Sequence, residues 1–277
     1  MTSSRFLLKK IDKIVVDKIV DLYRKISITP SLFVKKEILK VKPKGKREKL
    51  FIDSYIENNR LSFKNRTPLC QDTGHLSVFI ETPSNFCFDF DIEGELKKRI
   101  NFKSKKFGLR YSIVDFKGKY SNYPSVYIFQ GKRKNLKIVL MAKGGGSENL
   151  SKLFMLNPSS SLDDISEIVI NCVEEAKDRG CPPYILGIGV GKSSLESLLL
   201  SKLALTGKFS HNRKGYEKIL SEKILKGSLN VKTGFSGLGF GKTLLDCRVI
   251  IKERHIATLP LSVQFNCFQE RVGVLYL

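Results

Sequence analysis

The segment Cys70–Thr73 carries a thiol, an amide, a carboxylate and a hydroxyl on four consecutive residues. Gly74 follows at an expected turn, and the apolar segment 76–80 follows that turn. A turn that leads into a strand can hold polar side chains at a strand end, where they point into a cleft. The segment therefore predicts a functional site at the start of a strand. The alternative is an exposed turn with an incidental cysteine.

A second candidate is the run of three glycines at 144–146, which follows an apolar segment and has Lys143 before it and Ser147 after it. Consecutive glycines let the backbone approach a ligand closely and leave amide N–H groups available. The spacing matches neither the phosphate-binding pattern GxxxxGK(S/T) nor the dinucleotide-binding pattern GxGxxG. The polar flanks favour a loop that cradles a ligand over a flexible surface loop.

Three of the six cysteines, Cys70, Cys181 and Cys267, stand beside turn-like segments rich in polar residues, glycine or proline. The other three do not: Cys87, Cys172 and Cys247. Three thiolates from distant loops could hold a cubane iron–sulfur cluster whose fourth iron is an open Lewis acid, or they could hold zinc. Spacing does not separate these alternatives. No CxxC pair and no secretory signal occur, so we expect a reducing compartment, the cytoplasm, rather than a disulfide framework.

The elements that must position these residues follow from periodicity. Helical spacing predicts three helices, at 6–26, 31–41 and 46–58, that form an N-terminal layer. Further helices are predicted at 89–100, 161–179 with Gly180 after its end, 193–205, and 208–226, which includes His211. Strands are predicted at 76–81, 126–130, 136–141, 184–190, 244–251 and 257–263.

Two local arrangements and a fold class follow from these elements. Strands 126–130 and 136–141 are expected to pair through a turn at Gly131-Lys132, and the glycines of 187–191 are expected to present helix N–H groups to an anion. The fold class is mixed α/β. We expect one domain, 1–277, in which a helical layer (1–66) packs on a mixed β-sheet core with helices (67–277).

The net charge of +22 is large for 277 residues. It favours binding to nucleic acid or an anionic surface, or attraction of an anionic small substrate. However, lysine outnumbers arginine 36 to 13, whereas phosphate recognition favours arginine. We therefore favour compositional bias over a nucleic-acid-binding protein without catalysis. The sequence contains no run of about 20 apolar residues, so no membrane span is predicted.

Five segments together resemble a known family. They are PLCQDTG at 68–74, AKGGGSENLSKLFMLNPS at 142–159, CPPYILGIGVGKSS at 181–194, GFSGLGFGKTLLDCRV at 234–249 and RHIATLPLSVQFNC at 254–267. In order and separation they are similar to the α subunit, or N-terminal catalytic region, of the iron–sulfur class I fumarate hydratases and L-tartrate dehydratases. The resemblance extends over about residues 5–277.

The resemblance implies a 4Fe–4S cluster held by Cys70, Cys181 and Cys267, and reversible dehydration of a hydroxy dicarboxylic acid. Asp72 would assist removal of the C3 proton. The substrate would be bound by Gln71, Arg110, Gly145 or Gly146, and His255, the last reaching it across a subunit boundary. Conversion of (S)-malate to fumarate is preferred over dehydration of L-tartrate, since central metabolism is the commoner need.

The chain also departs from the family pattern. His75 stands where a small residue is usual, and Lys192 where glycine is common, so we expect the local geometry at both positions to differ from that of the family. The C-terminal domain of the family, which supplies further catalytic groups, is missing from the sequence. The resemblance therefore implies a separate β subunit, in an α2β2 assembly.

Overall fold

The structure is a computed structural model that describes the backbone of residues 2–131, 133–209 and 215–277, and the side chains of these ranges from residue 14 onward. Lys132 and His211, on which two sequence predictions fall, lie outside the described residues. The helices are α1 (Thr2–Ile28), α2 (Leu32–Leu39), α3 (Lys46–Asn65), α4 (Ile92–Lys106), α5 (Gly145–Glu148), α6 (Leu162–Ala176), α7 (Ser194–Thr206) and α8 (Gly215–Gly227). The strands are β1 (His75–Pro83), β2 (Ile113–Val114), β3 (Tyr120–Ser121), β4 (Ser125–Gly131), β5 (Lys137–Lys143), β6 (Lys152–Leu156), β7 (Tyr184–Lys192), β8 (Leu244–Arg254), β9 (Leu259–Asn266) and β10 (Val272–Tyr276). Two 3-10 turns, Ser228–Asn230 and Phe235–Gly237, precede β8.

The chain divides into two compact units. The first comprises Met1–Ser31, Tyr55–Lys143 and Arg271–Leu277. Its sheet has the order β4-β1-β5-β10, in which β4 is parallel to β1 while β5 is antiparallel to both β1 and β10. The even-numbered side chains of β1 and β5 form one core with α1 and α4, because alternate residues of a strand share a face.

The second unit comprises Leu32–Ser54 and Gly144–Glu270. Its sheet has the order β8-β7-β9-β6, with β8 parallel to β7 while β9 is antiparallel to β7 and β6. The even-numbered residues of β7, Tyr184–Val190, are buried in a core with α6 and α8. On the other face α7 lies so close that a Cβ on Gly187 or Gly189 would stand 2.2 Å from a helix carbonyl oxygen.

Most predicted elements are confirmed, and so is the mixed α/β class. Each of the three N-terminal helices is present, although α1 and α2 belong to different units. The strands β2, β3, β6 and β10 were not predicted. The expectation of one domain stays a prediction. Among the described residues, no helix is both long and apolar enough to cross a membrane.

Two local predictions are wrong, and for a third the structure gives the glycines of β7 a different role. The segments 126–130 and 136–141 are strands, β4 and β5, but they do not pair with each other, because β1 lies between them. Gly180 is not the residue after α6, since that helix ends at Ala176. Gly187 and Gly189 allow the close approach of α7, whose N-terminus is capped by the Ser193 side chain.

Candidate active site

The sequence motifs gather at one edge of each sheet, which we call the motif edge: the edge where β1 or β7 begins. In the first sheet, His75 at the start of β1 pairs with Lys143 at the end of β5. In the second, Ile185 near the start of β7 pairs with Asn266 at the end of β9. Strand starts and antiparallel strand ends meet at the same edge, so each motif that precedes or follows these strands is placed there.

In the first unit, the segment before β1 is held by neighbouring helices. The N–H of Leu69 donates to the carbonyl oxygen of Ser27 at 2.9 Å, and Asn58 Nδ2 donates to the Leu69 carbonyl oxygen at 3.0 Å. Leu69 itself is buried. The next two residues emerge from this anchor, with Cys70 half-buried and Gln71 exposed. Their side chains thus lie on a fixed backbone with access to solvent.

Asp72 and Thr73 are fixed by hydrogen bonds that link the loop to Arg110. The Gly74 N–H donates to Asp72 Oδ1 at 2.9 Å, which orients the half-buried carboxylate. Thr73 Oγ1 donates to the Arg110 carbonyl oxygen at 2.7 Å and shares a hydrogen bond of 2.7 Å with Ser112 Oγ. Arg110 is exposed. The structure therefore brings together Asp72 and Arg110, two of the predicted site residues, through the buried Thr73, whose hydroxyl the sequence marked without giving it a role.

Gly74 is required at the point where the loop enters β1. Its φ of +77° favours glycine, and a Cβ there would lie 2.7 Å from the carbonyl oxygen of Lys143. The neighbouring departure from the family pattern, His75, is accommodated: its Nε2 lies 2.9 Å from Ser125 Oγ, at the start of β4. The histidine is thus tied to the sheet and extends the motif edge.

In the second unit, the glycine run and Cys181 are neighbours. A Cβ on Gly146 would lie 3.0 Å from the Arg179 carbonyl oxygen. The buried Ser147 donates from Oγ to the Gly180 carbonyl oxygen at 3.4 Å. The glycines thus allow the turn at 144–147 to pack against the two residues that precede Cys181, while Gly145 and Gly146 stay exposed.

Cys181 and Cys267 lie on adjoining segments of the same unit. The N–H of Phe268 donates to the Cys181 carbonyl oxygen at 3.3 Å. Cys181 is exposed with φ +57°, and the buried Pro182 accepts a hydrogen bond of 2.8 Å from the N–H of Ser236. Cys267 is half-buried. The structure therefore brings together Gly145, Gly146, Cys181 and Cys267 at the motif edge of the second sheet.

The remaining cysteines are placed away from these segments or are unsuited to be ligands. Burial raises the pKa of the Cys172 thiol to about 11, within the core formed by α6. Cys247 is buried in β8, and the exposed Cys87 follows the far end of β1. None of the six cysteines, all of which are described, forms a disulfide. In neither unit do the described His, Cys, Asp and Glu side chains form a group of three that could hold a metal.

His255 lies at the opposite edge of the second sheet. It stands in the turn between the end of β8 and the start of β9, where the Ala257 N–H donates to its Nδ1 at 3.1 Å. The eight residues of β9 separate this turn from Cys267, a distance of about 25 Å along a strand. The side chain is exposed. The structure thus does not bring His255 to Cys181 and Cys267 within one chain.

Lys192, the second departure from the family pattern, forms an exposed ion pair of 2.9 Å with Glu196 in the first turn of α7. It adopts a positive φ of +54°. The capping side chain of Ser193 and the carboxylate of Glu196 already occupy the start of this helix. The predicted anion site at this junction therefore has no support in the described geometry.

Comparison with known proteins decides the family. The family model described as fumarate hydratase (Fumerase) matches residues 16–275. The chain belongs to the fumarate hydratase family. Membership makes it a hydro-lyase, an enzyme that adds water to a carbon–carbon double bond or removes it.

Individual relatives of the chain carry two names. A protein of Methanocaldococcus jannaschii named for the alpha subunit of an L(+)-tartrate dehydratase is 30% identical over 272 residues, 93% of this chain and 95% of that protein. The alpha subunit of the L(+)-tartrate dehydratase of Escherichia coli K12 is 23% identical over 82% of this chain and 78% of its own length. A protein of Geobacillus stearothermophilus named for class I fumarate hydratase is 28% identical over 87% of this chain, which spans about half, 51%, of that protein.

Proposed function

We propose that the chain is the α subunit of an iron–sulfur hydro-lyase that interconverts (S)-malate and fumarate. The family match supports the reaction class. The observation that carries the proposal furthest is the hydrogen bond between the Cys181 and Cys267 segments, beside the glycine turn. It supports a site at this motif edge in which two candidate ligands lie near two candidate substrate-binding N–H groups.

The donor set fits an iron–sulfur cluster. The thiols of Cys181 and Cys267 are accessible to different degrees, lie on adjoining segments and form no disulfide. We propose that they hold a 4Fe–4S cluster together with Cys70, whose assignment rests on the sequence resemblance. When bound, such a cluster supplies a Lewis acid for the substrate hydroxyl, since hydroxide is a poor leaving group.

The protein side chains then have to bind the dicarboxylate and move one proton. Asp72 is the proposed base for the C3 proton, which is barely acidic and therefore demands precise placement of the base. The exposed guanidinium of Arg110 suits a carboxylate, because its fork of donors matches two oxygens. Gln71 and the N–H groups of Gly145 and Gly146 would complete the contacts. Because His255 lies at the opposite sheet edge, its role would require that it reach the site of a second copy.

A separate β subunit is proposed as the partner. Two relatives that the chain matches over most of their length bear the name alpha subunit. The chain spans about half of the Geobacillus stearothermophilus protein, so a second polypeptide could supply the other half. We propose an α2β2 assembly in the cytoplasm.

L-tartrate is the second candidate substrate. The names of the Methanocaldococcus jannaschii and Escherichia coli relatives favour it, while the Geobacillus stearothermophilus name favours fumarate. Both substrates are dicarboxylates with a hydroxyl at C2 and differ at C3, where L-tartrate bears a second hydroxyl. An assay of all candidates on one preparation decides between them.

The test is anaerobic co-expression with a candidate β chain, followed by assays of water loss or gain with malate, fumarate and both tartrates. Each of Cys70→Ala, Cys181→Ala and Cys267→Ala should lower iron and acid-labile sulfide content and abolish turnover. The matched control Cys87→Ala, at an exposed site outside the motifs, should keep both. Stoichiometric zinc in place of iron, or equal iron loss in Cys87→Ala, would contradict the proposal.

A further inference from the structure

We propose that Arg271 is a positioning residue that holds the loop of Asp72 in its working conformation. The inference rests on the proposed role of Asp72 and deepens it. Arg271 follows Cys267 by four residues and immediately precedes β10. No motif of the sequence singled it out.

The guanidinium of Arg271 connects two distant parts of the first unit. Its Nη1 donates to the carbonyl oxygen of Asp72 at 2.7 Å, across 199 positions of sequence. Its Nη2 lies against Gly74, 3.0 Å from the position that a Cβ would take there. The side chain is 2% exposed, so the hydrogen bond is shielded from water, which makes its loss costly.

The backbone of Arg271 is itself immobilised. Its carbonyl oxygen accepts a hydrogen bond of 3.0 Å from the N–H of Ala142 in β5. Two residues after Arg271, α1 packs so closely against β10 that a Cβ on Gly273 would lie 2.7 Å from Ile26 and 2.8 Å from Leu22. The arginine therefore reaches the loop from a rigid base, the motif edge of the first sheet.

Tyr23 interacts with the same cluster. Burial raises the pKa of its hydroxyl to about 12, while Arg271 lowers it, Asp72 raises it and Thr73 lowers it. Tyr23 is 1% exposed, so its interactions with this cluster are shielded from water. Arg271 differs from the other tethers of the loop, the Gly74 N–H and Thr73 Oγ1, because it alone of the three comes from the segment that leads into the C-terminal strand.

Three hydrogen bonds thus fix three separate degrees of freedom. The Gly74 N–H orients the Asp72 carboxylate, and Thr73 Oγ1 fixes the distance between the loop and the Arg110 backbone. Arg271 fixes the direction of the Asp72 carbonyl group and hence the plane of the peptide between Asp72 and Thr73. Removal of the third should let the whole loop rotate. A misplacement of about 1 Å can lower a rate about 100-fold.

The test uses two variants. Arg271→Gln removes the charge and shortens the side chain that carries the N–H donor. Arg271→Lys keeps a cation that can reach the carbonyl oxygen of Asp72. The matched control is Arg248→Lys, because Arg248 is also a buried arginine but belongs to the second unit. The first readout is hydrogen exchange of the full chain alone, measured by mass spectrometry. In Arg271→Gln, exchange in the segment 70–74 should rise at least about tenfold relative to β1, with Arg271→Lys between it and wild type.

The second readout is steady-state kinetics of the anaerobic assembly with its partner. For Arg271→Gln, kcat should fall by about 100-fold while KM changes less than about threefold and iron content is kept, since the base is misplaced but the binding groups remain. Arg271→Lys should restore at least about a tenth of kcat. Arg248→Lys should leave exchange at 70–74 relative to β1 as in wild type. Uniformly faster exchange of all segments in Arg271→Gln, or unchanged exchange at 70–74, would overturn the proposal.

The two readouts separate this inference from the proposed function. If the wild-type assembly turns over no dicarboxylate, the proposed function fails, while the exchange data still decide whether Arg271 holds the loop. If the wild type is active and Arg271→Gln has normal kcat, the positioning role fails alone. If Arg271→Gln does not fold, Arg271→Lys decides, because intermediate protection confined to 70–74 is expected only for a local tether.

Discussion

At the scale of single residues, Gly74 shows how strongly the backbone of the Asp72 loop is specified. We expect Gly74→Ala to destabilise the chain by more than about 3 kcal/mol, because a positive φ costs an alanine about 1–3 kcal/mol and the Cβ would also collide with the Lys143 carbonyl oxygen at 2.7 Å. The measurement is urea-induced unfolding followed by circular dichroism.

The matched control for this substitution is Gly108→Ala. Gly108 lies in the same unit with a similar φ of +67°, but nothing stands within 4 Å of its Cβ position. It should cost only the backbone term of about 1 kcal/mol. Equal losses for the two variants would show that the Lys143 carbonyl does not restrain the loop.

The site residues differ in how well sequence predicts them. Cys70, Asp72 and Cys181 stand in short motifs with glycine or proline beside them, so a local pattern marks them. Thr73 and Arg271 owe their importance to partners 37 and 199 positions away. A single sequence holds no signal for such contacts, because they join segments that only the folded chain brings together.

At the scale of elements, the glycines of β7 set the distance between strand and helix. Gly189→Ala would place a Cβ 2.2 Å from the Ser197 carbonyl oxygen of α7, where Ser197 Oγ also donates to the Gly189 carbonyl at 2.9 Å. We expect a loss of about 2–4 kcal/mol, since α7 must shift and the core reopens. The control Gly45→Ala, with nothing within 4 Å, should be nearly neutral. Thermal unfolding of both variants measures the difference.

Strand β8 of the second sheet carries a buried cluster of ion pairs near its start. Arg248 bonds Asp246 and Glu270 at 2.8 Å each and the Leu205 carbonyl oxygen at 2.5 Å. Burial by itself lowers the pKa of Arg248, but the two carboxylates outweigh burial and raise it. The guanidinium therefore stays charged, and the cluster ties β8, the end of α7 and the segment after Cys267 together.

Removal of this cation should be costly. Arg248→Met leaves two buried carboxylates uncompensated, so we expect a loss of about 3–5 kcal/mol in denaturant unfolding. Lys192→Met, which removes an exposed ion pair, should hardly change stability. A small effect of Arg248→Met would mean that water reaches the carboxylates.

The elements also show where pattern reading stops. Hydrophobic periodicity located β4 and β5, but their neighbours in the sheet were assigned wrongly because a short connection favours a hairpin. The fully buried β5 needs a hydrogen-bonded strand on each side, and β1 and β10 take these two positions. Long-range packing decides which strands become its neighbours, and a local sequence pattern does not contain that information.

At the scale of the whole molecule, the two sheets follow one plan. Read as β4-β1-β5-β10 and β8-β7-β9-β6, they have the same order of strand directions, although the strands come in a different order along the chain. In each, the motifs precede the central strand or follow its antiparallel neighbour. Two small sheets thus offer equivalent motif edges, which explains how the cysteine and glycine motifs, so far apart in sequence, come to lie on only two kinds of position, while Arg110 and His255 lie elsewhere.

The net charge of +22 also acts at this scale. A basic surface attracts a dianionic substrate over distances comparable to the Debye length, which shrinks from about 10 Å at 0.1 M salt to about 3 Å at 1 M. For the co-expressed assembly we expect kcat/KM for the dicarboxylate to fall severalfold over this range, while kcat changes little, because salt weakens encounter and binding rather than the chemical step. Steady-state kinetics in potassium chloride measures this, with a neutral osmolyte as the control for water activity and viscosity.

A flat kcat/KM, combined with tight and steeply salt-dependent binding of DNA or RNA to the same preparation, would instead assign the charge to a nucleic-acid surface. A flat kcat/KM without such binding would leave the lysines as compositional bias, since neither kind of anion would then respond to them.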